Sequence, residues 1–185
     1  PAYTDRRTYY LYPRPPVVGF AKPVAVLGGE RARALAEALG PQTPLLADVA
    51  GLDQWLQDRI DNVVVIAPDA ALTDRDRERL GRWLVQGLAI LDLTGGRVFT
   101  EGGLPAGRGG AEGYRLAFPK VAGHPLLQGV APEQLCYWAP TGVVAARATW
   151  GAPPVNMTPL VTCGDGDAAV LEAPVGRGRA LVCML

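Results

Sequence analysis

Few side chains in this sequence could do chemistry, and they lie at predicted strand ends. Thr94-Gly95-Gly96 follows the apolar run Leu88-Ala-Ile-Leu91. That is where many α/β enzymes set a nucleophile on a sharp turn. Positions 93–96 hold neither Cys nor Ser, and the whole chain has no serine. A threonine hydroxyl is a weak nucleophile without an adjacent base, and His124 is the single histidine. Composition therefore excludes both a Ser-His-Asp triad and a His-rich metal site. His124 sits in Gly123-His-Pro-Leu-Leu127, where its imidazole is expected to cap a turn, with ligand contact as the alternative. Asp69 ends the run Val63–Ala67 after Pro68. In a parallel α/β sheet ligands bind beyond the carboxyl ends of the strands. Asp69, Thr94, Gly95 and His124 are thus the candidate set for a small ligand such as a sugar or nucleotide.

Two further clusters have structural explanations. Gly28-Gly29 before a helix could offer free N–H groups to a phosphate, and Asp48 follows at the distance of a ribose-binding acid. The stretch reads GGERARA, without the third glycine of a dinucleotide fingerprint, so a tight strand-to-helix turn is expected. Asp165 and Asp167, flanked by Gly164 and Gly166, are expected to form a hairpin turn. Cys136, Cys163 and Cys183 are odd in number and lack CxxC spacing, which points to free, buried or half-buried thiols. No cofactor is expected.

Regular elements position these residues. Val24–Leu27 is a strand; Ala32, Leu35, Ala36 and Leu39 form a helical stripe stopped by Gly40-Pro41. Leu45–Ala47 is a second strand, and Leu52, Trp55, Leu56 and Ile60 mark a second helix. Val63–Ala67, mostly β-branched, is the clearest buried strand. Thr73 with Asp76 forms a capping box that starts a third helix, with Leu80, Trp83 and Leu84 inward and Asp74, Arg75, Arg77, Glu78 and Arg82 outward. Gly87 stops it, and Leu88–Leu91 is the fourth strand. Strand and helix alternating in this way imply right-handed crossovers and a parallel sheet covered on both faces. Arg97–Gly113 is Gly-rich and predicted to be a mobile loop. Short strands are expected at 114–118, 143–146, 160–162, 168–172 and 180–184, the last three joined by turns at Gly164–Asp167 and Gly176–Gly178.

With 185 residues, 49% hydrophobic and 19% charged, the chain has the composition of one globular domain. Eighteen basic and eighteen acidic groups cancel, and no basic block offers a footprint for nucleic acid or an anionic membrane. No apolar run approaches the roughly 18–20 residues that span a bilayer. No targeting signal is visible, which leaves the compartment open and leans towards the cytoplasm. Residues 1–21 read as an extended lead-in, rich in tyrosine (Tyr3, Tyr9, Tyr10, Tyr12) and proline, whose aromatics need a surface to cover. The sequence stops inside the apolar run Ala180–Leu185, as expected of a segment from a longer protein.

Four segments follow one another over about residues 22–185: Val63–Ile66 with Pro68-Asp69, Leu80-Gly-Arg-Trp-Leu-Val-Gln-Gly-Leu-Ala-Ile-Leu91, His124-Pro-Leu-Leu-Gln-Gly129 and Gly176-Arg-Gly-Arg-Ala-Leu-Val182. In this order they resemble the class I glutamine amidotransferase-like family. They are most similar to the non-catalytic members that accompany glycoside hydrolases, such as β-galactosidase trimerisation domains. That resemblance implies a flavodoxin-like doubly wound parallel sheet with a C-terminal antiparallel or mixed extension. It would place the amidotransferase nucleophile near Thr94, and the family's late His-Glu pair has no counterpart, since no histidine follows His124. The implied role is a non-catalytic accessory domain whose partners are a neighbouring catalytic domain or mates in a homo-oligomer.

Overall fold

A computed structural model describes residues 20–57, 60–104, 113–121, 123–136, 143–145, 156–164 and 166–185. The tyrosine-rich lead-in before Phe20, Asp165 and residues 105–112 of the Gly-rich stretch lie outside them. The protein is an α/β fold around one mixed sheet of eight strands.

The first half alternates as its periodicity requires. Strand β1 (Val24–Leu27) leads into α1 (Glu30–Leu39), β2 (Leu45–Leu46) into α2 (Val49–Leu56), and β3 (Val63–Ile66) into α3 (Asp74–Gln86), which ends before β4 (Ala89–Asp92). The α3 start is fixed locally: Thr73 Oγ1 accepts from Asp76 N while an Asp76 carboxylate oxygen accepts from Thr73 N, closing the expected capping box. Gly87, at φ 132°, terminates the helix as the pattern predicts. Asp48 is the N-cap of α2 and accepts from Gly51 N at 2.8 Å, so the carboxylate at ribose-acid spacing has a structural partner.

The remaining strands are β5 (Ala117–Pro119), β6 (Thr158–Cys163), β7 (Asp167–Val175) and β8 (Gly178–Cys183), and the sheet runs β2-β1-β3-β4-β8-β7-β6-β5. β2, β1, β3, β4 and β8 are mutually parallel, whereas β8-β7, β7-β6 and β6-β5 pair antiparallel. Both expected hairpins form. The expected strand at 114–118 contracts to β5 plus isolated bridges Tyr114–Ala145 and Leu116–Cys136; of the expected strand at 143–146, Ala145 makes the first of these bridges and Ala146 lies outside the described residues.

Both sheet faces carry helices over the parallel strands. Leu52 and Leu56 of α2 with Leu80 and Leu84 of α3 pack on Leu27, Val64, Ile66, Ile90 and Val182. Ala32 and Ala36 of α1 pack on Val26, Val65 and Ala67 across the other face. A separate cluster, including Tyr114, Leu135, Val144, Leu160, Val161 and Val170, fills the antiparallel end.

Three expectations are corrected. Residues 97–104 of the predicted mobile loop are packed: Val98 and Leu104 are buried, and Leu104 N donates to Gly95 O at 2.9 Å. Arg77 does not belong to the solvated helix face, because its guanidinium folds back to donate to Leu72 O at 2.9 Å and to pair with Asp74. Asp167 is not a turn former but the buried first residue of β7, where its carboxylate accepts from the Tyr114 hydroxyl.

Candidate functional site

The parallel strands place Asp69, Thr94 and Gly95 on one edge, beyond the carboxyl ends of β3 and β4. Arg97 ties the two turns together by donating from Nη2 to Pro68 O at 2.5 Å. His124 lies beside Glu172 of β7, two strands along the sheet from β4. Its Nδ1 accepts from Leu126 N at 3.3 Å, the expected capping role, and its Nε2 lies 3.6 Å from Glu172 Oε2. Arg179 approaches the other Glu172 oxygen at 2.8 Å, without hydrogen-bond alignment.

Asp69 is already engaged. Its carboxylate accepts from Gly29 N at 3.3 Å and Arg31 N at 2.8 Å, so it occupies the N–H groups a phosphate would need. Gly28 is required for the same close approach: a Cβ there would lie 2.8 Å from Ala67 Cβ and 2.9 Å from Ala32 Cβ. The tight-turn reading of Gly28-Gly29 therefore has a direct geometric cause. Beside it an open depression of about 730 Å³ is lined by Gly28, Gly29, Glu30, Arg33, Leu45 and Ala47.

At the elbow itself the key residue is Asp92, which sequence reasoning passed over. It is fully buried, and its Oδ1 accepts from both the backbone N and the hydroxyl of Thr94 at 2.6 Å. Val98 N reaches Oδ2 at 3.5 Å, and Gly96 N also points at the carboxylate. Thr94 Oγ1 in turn accepts from Arg97 N at 3.0 Å. The Thr94 hydroxyl thus donates to a carboxylate and accepts from a backbone N–H, with no imidazole beside it. An Asp between Leu91 and Leu93 on a buried strand needs donors nearby, and Thr94 two residues on is the spacing that supplies them.

Burial pushes the Asp92 carboxyl above its ordinary value of 3.8, outweighing the donors from Thr94, Val98 and Gly96. A folded-state pKa above the unfolded one stabilises the protein most below the unfolded value, and that contribution is lost as pH rises through the folded value. The stability of the native protein relative to Asp92→Asn should therefore fall as pH is raised from the acid side towards neutrality. Urea denaturation of both proteins across that range measures it, and a difference that stays flat or grows with pH would refute the assignment.

At the antiparallel end, burial and then the Asp167 charge push the Cys163 thiol up to about 11, so it is a packing group rather than a nucleophile. All three cysteines are free, Cys163 buried and the others half-buried. Among the described residues no group of three or more His, Cys, Asp or Glu could hold a metal ion, and no helix is long and apolar enough to cross a membrane.

No family model matches the sequence, and no curated protein does. Solved structures resemble the fold. The cytoplasmic protein STM3548 from Salmonella typhimurium aligns with a TM-score of 0.55 at 13% identity, covering 87% of this chain and 86% of that one. The exo-beta-1,4-mannosidase Op5Man5 from Opitutaceae bacterium strain TAV5 aligns with a TM-score of 0.50 at 12% identity, over 89% of this chain and 31% of the mannosidase chain. At such identities the likeness establishes fold alone.

Proposed function

We propose that this chain is a non-catalytic accessory domain of the class I glutamine amidotransferase-like type within a larger carbohydrate-active enzyme, a glycoside hydrolase. There it packs against the catalytic domain or against mates in a homo-oligomer. The carrying observation is the turn after β4: Thr94, at the family's nucleophile position, spends its hydroxyl on Asp92 and Arg97 N instead of on a general base. The parallel strand order β2-β1-β3-β4-β8 favours a flavodoxin-like, doubly wound reading of that half of the sheet. The similarity to about a third of a mannosidase chain is in keeping with a domain embedded in a longer enzyme.

Purified protein should release no ammonia from glutamine and hydrolyse no simple aryl ester. Turnover of either that disappears in Thr94→Ala would overturn the non-catalytic reading. The parent assignment is tested by the complete reading frame, in which a glycosidase catalytic domain should adjoin residues 1–185. Its absence, or the absence of glycosidase activity in the intact protein, overturns that part.

One observation favours a second reading, a small-ligand binding module for a sugar or nucleotide at the carboxyl edge. The depression beside Gly28 and Gly29 presents the Arg33 side chain, which could meet an anionic group. Calorimetric titration with nucleotides and monosaccharides, repeated on Arg33→Ala, separates the two readings. Saturable binding lost in the variant selects the second.

A further inference from the structure

We propose that the outer face of α3 is a self-association surface that takes a second copy of this chain, with the two α3 helices antiparallel about a two-fold axis near Gly81. Glu78, Gly81, Arg82 and Val85 fall at i, i+3, i+4 and i+7, so they form one stripe along the helix. Val85 is 54% exposed, the most exposed large hydrophobic side chain among the described residues. It sits with Val175 in a shallow depression of about 630 Å³ that Glu78, Gly81, Arg82 and Gln86 complete. Gly81 is a helix-interior glycine whose added Cβ would meet nothing within 4 Å. Packing inside this copy does not account for a residue that costs about 1 kcal/mol of helix propensity against alanine. Close approach of another backbone would.

Charge specifies which backbone. Arg77 pairs with Asp74 and Arg79 with Asp53, but Glu78 and Arg82, at a spacing suited to an ion pair, make none with each other or with other described residues. In an antiparallel pair centred near Gly81, Glu78 of each copy comes beside Arg82 of the other. The stripe is thereby self-complementary, as a two-fold interface requires, and the opposed helix dipoles add to the match. The surface is also preformed. The β7–β8 turn is locked to the end of α3 by Arg177 N donating to Val85 O at 3.0 Å, which holds Val175 beside Val85. One helix face falls short of the about 800 Å² per partner of a standard stable interface, so the dimer is weak and concentration-dependent. This surface is independent of the carbohydrate-enzyme assignment: a monomer would overturn it and leave that assignment to the reading-frame test.

Sedimentation velocity of the intact protein at low salt, from about 10 µM to about 1 mM, should show a monomer–dimer equilibrium. Glu78→Arg and Arg82→Glu should each weaken it about tenfold or more by juxtaposing like charges, and the double reversal should restore it. Val85→Lys should abolish it, and so should Gly81→Leu, which puts a side chain where the two helices meet. Circular dichroism confirms that these surface variants remain folded. A monomer at every concentration overturns the proposal. So does a dimer that either single reversal leaves unchanged, or one that the double reversal fails to restore.

Discussion

Val65→Asp is expected to unfold the protein or remove most of its stability. β3 lies between β1 and β4, and Val65 is 4% exposed, packed with Val26, Ala32, Ala36 and Ala67. A carboxylate in that apolar cluster loses its hydration and gains no cation. Such a change commonly costs several kcal/mol, comparable to the about 5–15 kcal/mol that holds a domain folded. Arg75→Asp provides the contrast. Arg75 is exposed in the first turn of α3, where a negative charge is favoured by the helix dipole, and the change should cost well under about 1 kcal/mol. Arg77 would be the wrong control, since its guanidinium supports Leu72 O. Urea denaturation of the two variants decides the matter. Similar losses in both, or a tolerated Val65→Asp, would mean that β3 is not a core strand.

The elements around Val65 were legible in the sequence because their signals are local. Branched apolar runs gave β1, β3 and β4, 3.6-residue stripes gave α1 and α2, and the Thr73–Asp76 pair gave the start of α3. The position of β8 was not legible. It follows β7 through a tight antiparallel turn, yet its far edge pairs parallel with β4, ninety residues earlier, and no local pattern encodes that partner. Long-range polar contacts were invisible for the same reason. Asp69 lies just past the end of β3, and its bonds to Gly29 and Arg31 join residues 40 and 38 positions apart. Likewise Asp167 looked like a turn residue because its partner, Tyr114, lies 53 positions away. The cap at His124 was readable, since its acceptor nitrogen serves an N–H two residues on. Asp92 was the local signal missed: it is a charged residue at the end of an apolar strand, and Thr94 two residues on holds the donors that let it stay buried.

Gly178→Ala should destabilise the protein and Gly81→Ala should stabilise it, although both exchange one hydrogen for a methyl group. A Cβ at Gly178 would lie 2.2 Å from Leu84 O and 2.4 Å from Leu88 O, well inside any tolerable contact. Those carbonyls belong to the end of α3 and the lead into β4, so they cannot swing aside as a flexible side chain could. The turn would have to lift from the helix, loosening Arg179 N on Leu88 O and Arg177 N on Val85 O, now 3.3 and 3.0 Å. Overpacking of this kind costs about 1–3 kcal/mol, and the loss of backbone hydrogen bonds adds to it. At Gly81 the new methyl enters open space on a helix surface, where alanine gains about 1 kcal/mol over glycine. Thermal or urea denaturation at low micromolar concentration, where self-association is negligible, reads both changes. If Gly178→Ala is neutral, the β7–β8 turn does not press on the end of α3. The rigid floor beside Val85 would then be lost, and with it the preformed character of that surface.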